Sequence, residues 1–245
     1  ANGTGKDWTS ARIMLWWLST RYPAKVIVVG PTHRQVNEIV FSEARAAFNK
    51  TRYPLEGQFL ETSQWKIGDE HYARGFATSD PYNVLGFHSP NLLVIVTEAH
   101  NMPQAHIENI KLLIPTCILL TGNPFCEVGE FYDAFNDGAD GWNAINISAF
   151  DTPNLQQGQV VIPGMATVAS VEQMARDWGE DDPMYIASVL GRFADNMEDT
   201  LVPRSVVMEA VERELDPPYD EPVMFSLDVA RFGSDRSVAY RRQGD

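Results

Sequence analysis

Three short runs of aliphatic residues are the strongest candidates for buried strands. They cover residues 25–30, 92–96 and 117–121. Such nearly continuous apolar runs are typical of strands that are buried on both faces of a parallel sheet. We therefore predict a largely parallel sheet, with the strand at residues 25–30 in its centre.

Helical patterns lie between these runs. A helix is predicted directly after Lys6, because its apolar positions recur at helical spacing: Ala11, Met14, Leu15 and Leu18. A second helix is predicted from Thr32, since Gln35 stands three residues later in the arrangement of a capping box. Residues 104–113 form a third helical pattern. The alternation of strands and helices predicts an α/β fold.

A β-hairpin is predicted beside this α/β pattern. Residues 64–67 and 70–77 have strand-like composition, and we place Gly68 at the first central position of a type II′ turn between them. The hairpin is an insertion or an edge of the sheet.

The pattern changes after Phe150 to short helices separated by Pro, Gly and acidic residues. We predict a capping box at Ser170 and Gln173, and a helix over residues 183–190 that Gly191 ends. Residues 216–222 contain three prolines and three acids, which favours a linker. Two further strands are predicted at residues 224–229 and 237–241. The resulting division is a core over residues 1–150, a helical subdomain over 151–215, the linker, and the start of another domain over 223–245.

Composition excludes several classes of protein. Hydrophobic residues make up 44% and charged residues 21%, which excludes a disordered or collagen-like chain. No apolar run approaches the roughly 18–20 residues that cross a bilayer, so we expect no membrane partner. Two cysteines without a nearby Cys/His set indicate a reducing, cytosolic compartment.

Charge is distributed unevenly along the chain. The net charge is −14, but residues 1–125 carry 11 Lys and Arg against 10 Asp and Glu, whereas residues 126–245 carry 8 against 23. A polyanionic partner is therefore expected to meet the first half of the chain.

The chain opens on part of a phosphate-loop pattern. In that pattern, Gly-x4-Gly-Lys-Ser/Thr, backbone N–H groups surround phosphates, the Lys reaches the β- and γ-phosphate oxygens and the hydroxyl binds magnesium. The residues assigned here to ATP binding are Asn2, Gly3, Thr4, Gly5, Lys6 and Asp7. Asp7 occupies the hydroxyl position, and the first Gly would precede Ala1, so we expect a strand before Ala1. The alternative is an ordinary glycine turn before a helix.

A second candidate segment follows the strand at residues 92–96. Thr97 and Glu98 occupy the positions of the two acids of a Walker B segment, with Thr97 where an Asp normally binds magnesium. Thr97 thus has a hydroxyl where a carboxylate is usual, and Asp7 has a carboxylate where a hydroxyl is usual. One carboxylate and one hydroxyl would therefore still surround the metal. Glu98 is the candidate that orients or deprotonates the attacking water, or else an acid that caps the next helix.

The third candidate segment ends the strand at residues 117–121. Thr121, Gly122 and Asn123 would lie beside the γ-phosphate, where Asn123 can sense it, although an Asn-Pro pair after a strand is also typical of a turn. Among the five histidines, His100 beside Glu98 is the one worth testing.

Taken together, these segments resemble the large terminase subunit of tailed bacteriophages, the motor that packages viral DNA. The resemblance covers essentially the whole chain and depends on the following motifs: Gly3-Thr4-Gly5-Lys6-Asp7, Gly30-Pro31-Thr32, Arg34-Gln35-Val36, Thr97-Glu98-Ala99, Thr121-Gly122-Asn123-Pro124, Asp151-Thr152-Pro153-Asn154, Leu190-Gly191-Arg192-Phe193, Val202-Pro203 and Leu227-Asp228-Val229-Ala230-Arg231-Phe232-Gly233-Ser234-Asp235. The last motif looks like the opening of the family's RNase H-like nuclease.

The resemblance implies a RecA-like P-loop NTPase that uses ATP and Mg2+ to translocate double-stranded DNA into a procapsid. It implies a homo-oligomeric ring in the host-cell cytoplasm, docked on the portal protein, with the small terminase subunit as another partner. An arginine finger would come from a neighbouring subunit; Arg34, Arg45 and Arg74 all remain open.

The resemblance also implies a nuclease that cuts concatemeric DNA with Mg2+ or Mn2+. Asp228 is its candidate catalytic and metal-binding residue, because a carboxylate between Leu227 and Val229 in a strand is costly unless it binds a cation. Asp235 is either a second candidate ligand or a turn residue. The remaining acids are expected beyond Asp245.

Two other interpretations stay open at this point. One is a helicase-type, DNA-dependent ATPase, since Thr97-Glu98-Ala99-His100 resembles a DEAH box. The other is a non-catalytic DNA-binding or assembly module whose nucleotide site has decayed at Asp7 and Thr97.

Overall fold

The computed structural model describes residues 1–77, 84–136, 140–194, 206, 209–211, 213, 222–229 and 237–243. Contacts divide the chain into two compact units, Ala1–Thr200 and Leu201–Asp245. In the described part of the chain, no helix is both long and apolar enough to span a membrane.

The first unit contains a six-stranded mixed sheet. Its strands are β1 (Lys25–Gly30), β2 (Gln58–Phe59), β3 (Gln64–Gly68), β4 (His71–Ala77), β5 (Leu92–Val96) and β6 (Cys117–Leu120). They lie in the order β2-β3-β4-β1-β5-β6. Strands β4, β1, β5 and β6 are parallel, and β2 and β3 add antiparallel at one side. The predicted α/β fold with β1 in a central position is confirmed.

Helices cover both faces of this sheet. The helices are α1 (Lys6–Thr20), a π-helical segment (Gln35–Phe41) that continues as α2 (Ser42–Asn49), α3 (Gln104–Leu112), α4 (Glu130–Asp133), α5 (Pro153–Gln156), α6 (Val168–Trp178) and α7 (Pro183–Tyr185), which continues as a π-helical turn (Ile186–Leu190). Successive side chains of β1 alternate between the faces, so Val26 and Val28 pack with the α1 side and Ile27 and Val29 with the α3 side. All six residues of β1 are buried.

The helices after Phe150 form a third, smaller core. Ala1, Ala149, Val171, Tyr185 and Val189 are its buried members. The amino-terminal residue therefore packs among these helices, and Asn2 donates its backbone N–H to the carbonyl of Ser188 at 2.7 Å. This packing places the carboxyl-terminal helices of the first unit beside the glycine turn.

Three local predictions can be compared with the structure. The capping box at Thr32 is confirmed: the Thr32 N–H donates to Gln35 Oε1 and the Gln35 N–H donates to Thr32 Oγ1. The turn at Gly68 is wrong, because Gly68 is the last residue of β3 and pairs with His71, which leaves Asp69 and Glu70 as the turn. The capping box at Ser170 is also wrong, because Thr167 is the N-cap and Ser170 is its reciprocal partner.

Strand β6 is the edge strand at the opposite end of the sheet from β2. A cavity of about 620 Å³ lies beside it, lined by all four β6 residues, by Ser10 and Ile13 of α1, and by residues 141–147. Ser10 is buried there, and its hydroxyl has no hydrogen-bond partner among the residues that the structure describes.

The second unit contains a two-stranded antiparallel ribbon. Its strands are β7 (Val223–Asp228) and β8 (Val238–Gln243), close to the two predicted strands. Every residue of β7 is exposed, including Phe225 and Leu227. A two-stranded ribbon with exposed apolar side chains is at most marginally stable alone.

Candidate functional site

A glycine turn leads into α1 at the carboxyl ends of the parallel strands. Gly3 and Gly5 have φ angles of 62° and 84°, which favour glycine over any residue with a side chain. Gly5 is the N-cap of α1, and glycine has no side chain that could accept from the N–H groups of the first turn. The first backbone N–H groups of the helix therefore point out of its end, where they and the helix dipole favour an anion.

A loop from the carboxyl-terminal helices packs on this turn. The Ala166 N–H donates to the Gly3 carbonyl at 3.0 Å, and a Cβ added at Gly3 would lie 2.9 Å from the Ala166 nitrogen. Asn154, 1% exposed, shapes this loop. Its Oδ1 accepts from the N–H groups of Val161 and Ile162, and its Nδ2 donates to the Ile162 carbonyl. Sequence reasoning missed this role, since nothing local to Asn154 indicates which loop it binds.

Lys6 extends from the first turn of α1 towards the neighbouring segments. Its Nζ donates to the Ala1 carbonyl and to Asn123 Oδ1, each at 2.8 Å. Burial lowers the pKa of Lys6, and the carboxylates of Glu98 and Asp7 oppose that shift. The ammonium group is thus partly desolvated and lies within the electrostatic influence of both acids.

Asp7 and Thr97 lie side by side, as the exchange of carboxylate and hydroxyl requires. The Thr97 hydroxyl donates to Asp7 Oδ1 at 3.2 Å. Thr97 directly follows β5, and its N–H donates to the Val29 carbonyl, which extends the pairing with β1. The described residues contain no group of three or more His, Cys, Asp or Glu that could hold a metal. One carboxylate and one hydroxyl fit Mg2+, which binds few protein ligands and keeps several waters.

Glu98 adopts a left-handed backbone conformation between β5 and the 3-10 turn Ala99–Asn101. Its φ and ψ are 51° and 47°, which is uncommon for a residue with a side chain and often marks a functional site. The Ala99 N–H donates to the Thr121 carbonyl at 2.9 Å and fixes this turn to the segment after β6. Burial raises the pKa of Glu98, Asp7 raises it further, and Lys6 lowers it.

Asn123 connects the glycine turn with the turn that carries Glu98. Its Oδ1 accepts from Lys6, its Nδ2 donates to Asn2 Oδ1 at 2.6 Å, and its N–H donates to His100 Nδ1 at 3.3 Å. The three predicted segments therefore meet at one place. Thr121 and Gly122 lie in the same segment, held by the bond between the Thr121 N–H and the Val96 carbonyl.

The three arginines named as candidate fingers have different surroundings. Arg45 donates to the carbonyls of Leu60 and Thr62, which is a structural role. Arg34 is exposed and forms an ion pair with Glu38 on the same helix. Arg74 lies 5.3 Å from the centre of the Phe76 ring. Arg34 and Arg74 are both exposed, whereas Arg45 is half-buried.

Asp228 belongs to the second unit. It is the last residue of β7 and is exposed, so the burial from which its metal-binding role was argued is not observed. Its role as a ligand stays a prediction. Asp235, like Val202 and Pro203, lies outside the described residues.

Comparison with known proteins gives structural matches alone. No protein-family model and no curated protein sequence matches this chain. The large terminase of a thermophilic bacteriophage, in complex with ADP, is similar over 96% of this chain and 60% of its own, with a TM-score of 0.56 and 12% identity. The same protein with ATP-gamma-S matches with a TM-score of 0.58 and 13% identity, over 92% and 53% of the two chains.

The large terminase of bacteriophage HK97 is a further match. It covers 93% of this chain and 52% of its own, with a TM-score of 0.56 and 13% identity. This chain thus spans between half and two thirds of the length of these proteins. At such low identity the likeness concerns the fold, and the predicted RecA-like α/β fold is confirmed. The chain therefore has the fold of the large terminases of bacteriophages.

Proposed function

We propose that this chain is the ATPase part of a DNA-packaging motor. The observation that carries the proposal is the meeting of Lys6, Asp7, Thr97, Glu98 and Asn123 at the carboxyl ends of β5 and β6. Ligands of open α/β sheets bind at this edge. The fold likeness to large terminases, one of which has been seen with ADP and with ATP-gamma-S, supports the proposal.

The nucleotide phosphates bind at the glycine turn. The turn from Asn2 to Asp7 surrounds them: the Asn2 N–H is held by the Ser188 carbonyl, Gly3 to Asp7 supply backbone N–H groups, and Lys6 supplies a positive charge. Asp7 and Thr97 would hold Mg2+, which, when bound, supplies positive charge to the phosphate oxygens.

Glu98 orients the attacking water and accepts its proton. A carboxylate whose pKa is raised by burial is a stronger base than a solvated one. Glu98 has its left-handed backbone directly after β5, and its carboxylate lies within the electrostatic influence of Lys6 and Asp7. Position and basicity thus both suit a general base.

The segment Thr121, Gly122 and Asn123 couples ATP hydrolysis to DNA movement. Asn123 contacts the lysine that would meet phosphate, so a change at the phosphate changes the contacts of Asn123. In the proposed motor this change drives translocation of double-stranded DNA into a procapsid. The motor acts as a homo-oligomeric ring on the portal protein, with the small terminase subunit, in the host-cell cytoplasm.

The nuclease belongs to the same proposal. Asp228 and Asp235 would bind Mg2+ or Mn2+ together with further acids, since two-metal cleavage needs several converging carboxylates. An antiparallel ribbon that carries Asp228 at its end supports this assignment.

The proposal is tested by ATP hydrolysis with and without double-stranded DNA. Glu98→Gln should lower the rate by about 10²-fold or more and leave binding of MgATP intact, because the amide keeps the shape but cannot accept the proton. Glu108→Gln, an exposed acid on α3, is the control and should hydrolyse ATP normally. Hydrolysis unaffected by Glu98→Gln would contradict the assignment, and absence of nucleotide binding would favour an assembly module.

A further inference from the structure

His100 lies between the turn that carries Glu98 and the segment that carries Asn123. The side chain is 6% exposed. Its Nδ1 accepts from the Asn123 N–H at 3.3 Å and lies 3.5 Å from Glu98 Oε2. Phe125 packs against the ring edge-on, with the ring centres 5.5 Å apart. A single imidazole nitrogen thus contacts both the candidate base and the candidate sensor.

The space between this ring and Gly122 is filled. A Cβ added at Gly122 would lie 3.0 Å from His100 Nδ1 and 3.2 Å from the Ala99 nitrogen. The ring therefore packs directly on the backbone of the coupling segment. The bond from the Ala99 N–H to the Thr121 carbonyl runs beside it. A displacement of Asn123 consequently moves the ring or breaks its hydrogen bond.

The ionisation of His100 suits an acceptor at Nδ1. Burial and the positive charge of Lys6 lower the pKa of His100 to about 4, so the ring is neutral at pH 7. Because Nδ1 accepts a hydrogen bond from a backbone N–H, the proton of the neutral ring is on Nε2, and the 3.5 Å approach of Nδ1 to Glu98 Oε2 is a packing contact rather than a hydrogen bond.

We propose that His100 is a positioning residue that couples the orientation of the Glu98 carboxylate to that of Asn123. This inference rests on the proposed ATPase function. When phosphate takes the Lys6 ammonium away from Asn123 Oδ1, Asn123 shifts, and the ring transmits the shift to Glu98. Glu98 then reaches its working position when phosphate is bound at the glycine turn.

Two polar substitutions separate this role from packing. In His100→Asn, the amide oxygen replaces Nδ1 and keeps the acceptor for the Asn123 N–H. In His100→Gln, the longer side chain places its amide near the Nε2 position, so the acceptor for the Asn123 N–H is lost. His33→Gln, at an exposed site, is the matched control. A misplaced catalytic group costs on the order of 10²-fold in rate, which sets the scale of the effect.

We expect His100→Gln to lower kcat about 10- to 100-fold while the Kd for a fluorescent ATP analogue changes less than about threefold. His100→Asn should keep most of the activity. Equal kcat in both variants and the wild type would overturn the proposal. So would a joint loss of kcat, affinity and thermal stability in both variants, since that result indicates packing alone.

A second readout does not depend on hydrolysis. Amide hydrogen exchange at Asn123 should be faster in His100→Gln than in the wild type and unchanged in His100→Asn. If the wild type binds or hydrolyses no ATP, the proposed function fails, but exchange at Asn123 still decides whether the ring holds this segment. Exchange equal in all three proteins would show that it does not.

Discussion

Lys6 Nζ donates a hydrogen bond of 2.8 Å to Asn123 Oδ1, and this bond joins the start of α1 to the segment that follows β6. The two residues are 117 positions apart in the sequence. In the proposed site the same ammonium group binds phosphate. Phosphate and Asn123 therefore compete for Lys6, and this competition is what would link nucleotide occupancy to the coupling segment.

Asn123→Ala should separate binding from turnover. The substitution removes the competitor for Lys6, so affinity for a fluorescent ATP analogue should stay equal or rise slightly. It also removes the link to the coupling segment, so kcat should fall about 10- to 100-fold. Asn49→Ala, at an exposed site at the end of α2, is the control. A variant with normal kcat would show that Asn123 has no part in coupling.

The pairing of Asp7 with Thr97 predicts that the two groups can be exchanged. Asp7→Ser alone removes the carboxylate and should weaken Mg2+-dependent nucleotide binding by about tenfold or more. Asp7→Ser combined with Thr97→Asp should recover most of that loss, because the two side chains are 3.2 Å apart. Titrations with Mg2+ and with EDTA isolate the metal-dependent part. If the double variant binds as weakly as Asp7→Ser, the exchange hypothesis is wrong.

Gly30 is required by its neighbours rather than by its backbone angles. A Cβ at Gly30 would lie 2.8 Å from Thr97 Cγ2 and 2.9 Å from Val36 Cγ2. Gly30→Ala should therefore lower the free energy of unfolding by about 1–3 kcal/mol in urea denaturation. In Gly68→Ala the nearest atom, His71 Cβ, is 3.8 Å away, so this control should be as stable as the wild type.

Thr97→Ser tests the cause of that loss. Thr97→Ser removes Cγ2, so in the Gly30→Ala background it should lower the free energy of unfolding by less than it does in the wild type. Additive effects of the two substitutions would mean that the methyl group of Thr97 is not what excludes a side chain at position 30.

The lowered pKa of His100 predicts a pH dependence of stability. In the unfolded chain this histidine takes up a proton near pH 6.5, whereas in the folded chain it does so only near pH 4. Between these values the unfolded state binds the extra proton, so the free energy of unfolding falls as the pH is lowered from 7 to 4, by up to about 3 kcal/mol.

His100→Asn removes this titration. The free energy of unfolding of the wild type minus that of the variant should therefore decrease steadily from pH 7 to pH 4. A constant difference across that range would contradict a neutral, buried imidazole at position 100.

Much of the fold could be predicted because the signals are local. The aliphatic run at β1 requires burial on both faces, and the Thr32 cap needs only a partner three residues away. The cap at Ser170 was misplaced because Thr167 stands three residues earlier and forms the same reciprocal bonds. Two overlapping patterns of this kind cannot be ranked without the packing of the helix.

The gathering of the site residues could also be predicted, because the ends of parallel strands share one edge of a sheet. Their detailed contacts could not. The left-handed backbone at Glu98 and the loop that Asn154 holds over Gly3 depend on tertiary contacts. The burial of Asp228 was wrongly predicted. Its strand-like sequence indicated a buried position, but Asp228 lies at the exposed end of β7.

The central claim is that the glycine turn and Lys6 bind nucleotide beside Glu98. Its most direct test is equilibrium binding of a fluorescent ATP analogue, with Mg2+, to the wild type, to Lys6→Ala and to Lys50→Ala, an exposed control. The account predicts binding by the wild type and by Lys50→Ala, and a loss of affinity of at least about tenfold in Lys6→Ala. Equal affinity of all three proteins, or no binding by any of them, would contradict it.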